Sequence, residues 1–137
     1  MNAWKLRCGI FLWILVGLAA TGCAAFIAGG VAVGAAVGTA EYIQGELKQA
    51  YAASMEKTWE ACLAAAQTLK MKVVEKSIDN MDKNRMIKGE TQDEKDFQMA
   101  LESLGPDVTQ VKVRIGIFGD EAYSQKIHLA IAQQLKK

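Results

Sequence analysis

The chain predicts an α+β domain of two layers, an antiparallel sheet of about five strands packed against two helices in the order β-α-β-β-β-β-α. Three observations support this fold class. Apolar residues recur at helical spacing in two segments, Met55–Leu69 and the stretch after Asp120. Between them, segments of alternating apolar and polar residues follow one another with the period of strands. The segments are divided by polar or glycine-proline turns at 79–84, 92–95 and 105–107. Consecutive strands joined by tight turns make a meander, and two amphipathic helices must bury their apolar stripes against one face of it.

Taken in order, Glu46 to Ala53 is a strand candidate that runs into Ser54, a residue suited to cap a helix N-terminus. In the helix that follows, Trp59, Cys62, Leu63, Ala66 and Leu69 share a face, while Glu56, Lys57, Glu60 and Gln67 fall elsewhere. Met71 to Ile78 and Arg85 to Thr91 are strands on either side of the turn Asp79-Asn80-Met81-Asp82-Lys83-Asn84. Phe97, Met99 and Leu101 alternate with Gln98 and Glu102, giving a strand with one buried face. After Gly105-Pro106-Asp107, Val111, Val113, Ile115 and Ile117 alternate with Gln110, Lys112 and Arg114, the most regular strand pattern in the chain. Asp120 is placed to cap a last helix whose face carries Tyr123, Ile127, Ile131 and Leu135, with Ala130 beside them.

The domain so defined spans 46–137, and what precedes it is of another kind. Lys5 and Arg7 give a positive start, Ile10 to Ala20 an uncharged apolar run, and Ala20, Thr21 and Gly22 are small residues leading into Cys23. This resembles a bacterial secretory signal peptide of the lipoprotein type, cleaved between Gly22 and Cys23 with acylation of Cys23. The competing reading is an uncleaved membrane anchor. A single span needs about 20 apolar residues, whereas Cys8 to Ala40 runs without a charge, too long for one crossing and without a polar turn for two. Cleavage removes that difficulty, so residues 1–22 are expected to be removed and the rest tethered by lipid to an envelope membrane. Ala24, where an aspartate would signal retention, resembles the default for sorting to the outer membrane.

Residues 24–40 read AAFIAGGVAVGAAVGTA, with Gly30, Gly34 and Gly38 at a spacing of four. On a helix these glycines would stack into a groove for close helix packing, so the expectation for 23–45 is a lipidated N-terminus followed by a glycine-zipper-like apolar helix. A linker, or a helix lying on the domain, are the other readings of this stretch. Glycine costs about 0.8–1 kcal/mol per position in a helix interior relative to alanine.

Composition narrows the function. Removing Lys5 and Arg7 from the 16 basic residues leaves 14 against 15 acidic ones. Such a mixed, near-neutral chain does not suit a nucleic-acid partner, which calls for a basic face. With Cys8 in the leader and Cys23 acylated, Cys62 is the one thiol of the domain, and its helical spacing predicts a buried, inert side chain. His128 is the only histidine and lies at the edge of the last apolar stripe, so no zinc site is expected. Asn80, Asp82 and Asn84 imitate part of a calcium loop, but its sixth and twelfth positions are Arg85 and Thr91, so a hairpin turn is expected. Asp93, Glu94 and Asp96 are expected to be solvated at another turn. Tyr51 and Trp59 are expected to be packing residues, with the option of lining an opening between helix and sheet. No catalytic residue, metal or cofactor is assigned.

The lipoprotein cysteine, the glycine- and alanine-rich stretch, Tyr42 to Lys48 (YIQGELK), Thr58-Trp59-Glu60-Ala61, and Val113 to Asp120 (VRIGIFGD) followed by Ser124 together resemble a family of small bacterial lipoproteins catalogued only as a domain of unknown function. The resemblance spans essentially all of the chain after Cys23 and implies envelope location and this order of elements, with no assigned activity. Two functions are compatible: association with an envelope protein or with itself, and binding of an apolar ligand between sheet and helices. A tightly filled interior near Trp59, Phe97 and Ile115 would exclude the second.

Overall fold

A computed structural model describes residues 36–137. Six strands form one antiparallel sheet: β1 (Ala36–Ile43), β2 (Glu46–Tyr51), β3 (Lys72–Ile78), β4 (Asn84–Glu90), β5 (Asp96–Gly105) and β6 (Val108–Ile115). Helix α1 (Met55–Thr68) lies between β2 and β3, and α2 (Glu121–Leu135) follows β6. The order across the sheet is β1-β2-β6-β5-β4-β3. From β2 onward the sequence is β-α-β-β-β-β-α, the order expected, and the two-layer α+β class holds.

Inward-facing residues form rows that the pairing sets. Leu47 stands opposite Val113, Val113 opposite Met99, and Met99 opposite Ile87. The next row joins Ile115 and Phe97. All six are buried beneath the helices, with α2 crossing β2 and β6 and α1 crossing β5. Full burial of one such side chain contributes about 1.5–3 kcal/mol, so these rows hold the helices to the sheet. Both expected caps are present: the Ser54 side chain accepts from the Lys57 amide, and the Asp120 side chain from the Tyr123 amide.

Two expectations are corrected. Residues 36–40 belong to strand β1, not to the end of an apolar helix, so Gly38 is a strand residue, and the sheet begins ten residues before Glu46. Three features favour the strand. Val37 and Thr39 are β-branched and suit extended backbone. Gln44 and Gly45 both have positive φ, 52° and 84°, the requirement of the two-residue turn that folds one strand back on the next. The pairing of β1 with β2 is irregular between Val37 and Glu41, which accommodates Gly38 in a bulge-like step. Gly22, Cys23, Gly30 and Gly34 lie outside the described residues. The second correction concerns β6, which ends at Ile115, not Ile117. Gly116 has φ 67°, which turns the chain out of the sheet and leaves Ile117 exposed.

Candidate interaction surface

The turn from β6 to α2 displays its apolar side chains outward. Ile117 is 79% exposed and Phe118 91%. Its backbone is held at several points. The Gly116 amide donates to the Asp96 carbonyl at 2.7 Å, and Arg114 Nη2 donates to the Ile117 carbonyl at 2.6 Å. Gly119, at φ 83°, lies directly against Gly45 of the β1–β2 turn, so close that a Cβ on Gly119 would overlap the Gly45 Cα and carbonyl oxygen and Tyr42 Oη. A Cβ on Gly45 would in turn stand 2.8 Å from the Phe118 carbonyl oxygen. Two turns distant in sequence are thereby packed backbone to backbone, and the exposed Tyr42 and Ile43 end β1 at the same corner.

Charges of both signs surround this tip. Glu46 pairs across the sheet with both Ile43 and Arg114. The β4–β5 turn, with Asp93 and Glu94, reaches the start of α2, where Lys95 Nζ lies 3.5 Å from Asp120 Oδ2. The Tyr123 amide, followed by Lys95, holds the Asp120 carboxyl below its ordinary range. On the sheet face without helices, an open groove of about 500 Å³ is lined by Val74, Lys88, Gln98, Arg114 and Ile117, so the tip forms one of its walls.

Tyr51, Cys62 and His128 lie in the interior. His128, expected at the edge of a stripe, is 3% exposed. Its Nε2 is 2.9 Å from the Leu47 carbonyl, which can only accept, so Nε2 carries the proton. Nδ1 then accepts from the Tyr51 hydroxyl at 2.7 Å. Burial lowers the His128 pKa to about 4, against the weaker opposing effect of Leu47. Burial likewise raises the ionisation of Tyr51 and of Cys62 far above their ordinary values. Cys62 is fully buried, the inert thiol expected. A thiol reagent should leave it unmodified in the folded domain and modify it fully in concentrated urea, as read by peptide mass spectrometry. Rapid labelling without denaturant would refute its burial.

The region 79–84 is a turn organised by Asp79. Its Oδ1 accepts from the Met81 and Lys83 amides and its Oδ2 from Asn84 Nδ2, at 2.9–3.1 Å. Asp82, which imitates a calcium ligand in sequence, is occupied by Arg85 at 2.7 Å. Arg85, which the sequence marks only as the start of a strand, is buried. It also reaches Glu56 at 2.8 Å and lies 5.4 Å from the Trp59 ring centroid. Asp93, Glu94 and Asp96 are exposed. Among the described residues no cluster of three or more His, Cys, Asp or Glu could hold a metal ion. Among the same residues no helix is long and apolar enough to cross a membrane.

A chain built this way, an antiparallel sheet with two helices on one face and an apolar turn at one corner, is of the small α+β class. It belongs to the family described as "Protein of unknown function (DUF3568)", which matches residues 5–134. No curated protein matches it.

Proposed function

We propose that this chain is a lipid-anchored protein of the bacterial cell envelope, held by acylated Cys23 to the outer membrane and facing the periplasm. It acts, in this reading, by non-enzymatic association with another envelope protein through the Ile117–Phe118 tip. The observation that carries the reading is the display of those two side chains on a turn whose backbone is locked by Gly45 and Gly119. Water contact for a phenylalanine is unfavourable, and a rigid turn that maintains it is suited to a preformed anchor for a partner's pocket. The segment leading into Cys23 supports the anchoring. The apolar-ligand reading is not favoured, because Trp59, Phe97 and Ile115 belong to one contiguous buried cluster.

Two experiments test it. Cys23→Ala should abolish acylation and release the protein from the membrane fraction; retention there with full yield would refute lipid anchoring. A photo-crosslinking amino acid at position 118 should give a discrete adduct in intact cells, and its absence would refute the tip as an interface. Ile117→Ser with Phe118→Ser forfeits roughly 3 kcal/mol or more of apolar burial, about a hundredfold in Kd. The adduct yield from a neighbouring position should fall accordingly, while circular dichroism stays unchanged.

A further inference from the structure

The corner that displays Ile117 and Phe118 is backed by a weakly secured strand. β1 lies at one edge of the sheet and hydrogen-bonds to β2 alone, while the helices pack chiefly on β2, β5 and β6. Its ladder is interrupted: Ala36 and Val37 pair with β2 at one end, and Glu41, Tyr42 and Ile43 at the other, with an irregular step between. Residues Ala40 to Gln44 are exposed. At the opposite edge, by contrast, Val73 of β3 packs against the buried core. The turn that closes the β1–β2 hairpin also carries strain. Gln44 sits at φ 52°, a left-handed conformation that a side chain disfavours and that Asn or Gly accepts more readily. An edge strand held by one interrupted ladder opens at lower free energy than the core of a domain.

We infer that the β1–β2 hairpin is a latch for the Ile117–Phe118 tip, closed while β1 is paired and released when β1 leaves β2. Geometry makes the connection. The hairpin supplies both parts that close over Gly119, the Gly45 backbone and Tyr42 Oη. The pairs Ile43–Glu46 and Tyr42–Leu47 hold those parts in place. When these pairs open, nothing keeps Gln44 and Gly45 at positive φ, and both contacts with Gly119 are lost. The tip then keeps only the hydrogen bonds on its strand side, from the Gly116 amide and from Arg114. Phe118, which lies beyond them, loses its backing. The functional consequence rests on the proposed interface at the tip, whereas the latch itself does not. Coupling between two such elements is reciprocal. A partner seated on Phe118 favours the closed hairpin by the same factor with which closure favours the partner.

The test needs no partner. Amide hydrogen exchange is followed at residue resolution by mass spectrometry, on the full chain purified from its host in detergent. In the parent protein Glu41–Ile43 should exchange many-fold faster than β5 and β6. Glu41→Cys with Lys48→Cys places two thiols directly opposite each other across β1 and β2, and their oxidation locks the hairpin. Locking should slow exchange several-fold in Glu41–Ile43 and in Gly116–Gly119 together, and reduction of the same sample should restore both rates. Gln44→Asn, which relieves the turn, should slow the same two segments without a crosslink. Slowing of Glu41–Ile43 with no change at Gly116–Gly119 overturns the latch, as does a parent β1 that is protected as well as β6. Either result leaves photo-crosslinking from position 118 to be judged independently. Coupled exchange without any adduct at 118 upholds the latch and refutes the interface.

Discussion

Replacing Gly119 by alanine is expected to lower the unfolding free energy by roughly 3 kcal/mol, from two separable costs. Its φ of 83° lies in the left-handed region, where a Cβ costs about 1–2 kcal/mol. The new methyl would also overlap the Cα and carbonyl oxygen of Gly45 and Tyr42 Oη. Overpacking of this kind costs about 1–3 kcal/mol. Backbone retreat is restricted, because Gly45 is itself at φ 84° in a two-residue turn and closely approached by the Phe118 carbonyl. Urea unfolding followed by circular dichroism measures the loss. For a domain near 100 residues it corresponds to a fall in Tm of about 15 °C. Gly105→Ala is the control: a Cβ there meets no atom within 4 Å, and the expected change is within about 0.5 kcal/mol. Equal effects at the two positions would show that the Gly45–Gly119 contact is not what fixes the tip. The same variant should reduce photo-crosslinking from position 118, since the presentation of Phe118 depends on that contact.

What could be read from the residues alone follows from the range of the interactions. Strands β3 to β6 and both helices announce themselves through period, because Phe97-Met99-Leu101 or Ile127-Ile131 reveal a buried face within a few residues. Caps at Ser54 and Asp120 are legible for the same reason, each being a contact across three residues. β1 is not, since Ala36, Gly38 and Ala40 suit several conformations and the pairing with β2 decides among them. Gln44-Gly45 was the local sign of that hairpin. Ile117 continues an alternation that Gly116 breaks by its φ, and a glycine's φ is not written in its neighbours. The contact between Tyr51 and His128 spans 77 residues, and that between Arg85 and Glu56 spans 29; neither leaves a periodic trace. The tip is a mixed case. The VRIGIFGD segment is conspicuous in the sequence, yet its meaning as an exposed corner emerges only when Gly119 is placed against Gly45.

Acidification should weaken the domain in a window that one histidine defines. His128 has a folded pKa of about 4 against an ordinary value of 6.5, so the unfolded chain takes up the proton first. Its contribution is therefore complete above pH 6.5 and is lost as pH falls from 6.5 to 4. Below 4 both states are protonated and no further loss arises from this group. The slope approaches 1.36 kcal/mol per pH unit, about 3 kcal/mol over the window. Geometry explains the direction: a charged imidazole would bring a proton to Nδ1, where Tyr51 now donates, and would do so without solvent. Tyr51, which contacts it, stays neutral throughout this range. Asp79, Asp82 and Asp120, whose pKa values are depressed from 3.8, act in the same direction but only below that pH. His128→Gln keeps an amide donor for the Leu47 carbonyl and removes the titration. Urea midpoints measured at half-unit steps should fall steeply between pH 6.5 and 4 in the parent protein and stay nearly level in the variant. Parallel curves would mean that some other group carries the acid sensitivity and that the buried imidazole is not the one described.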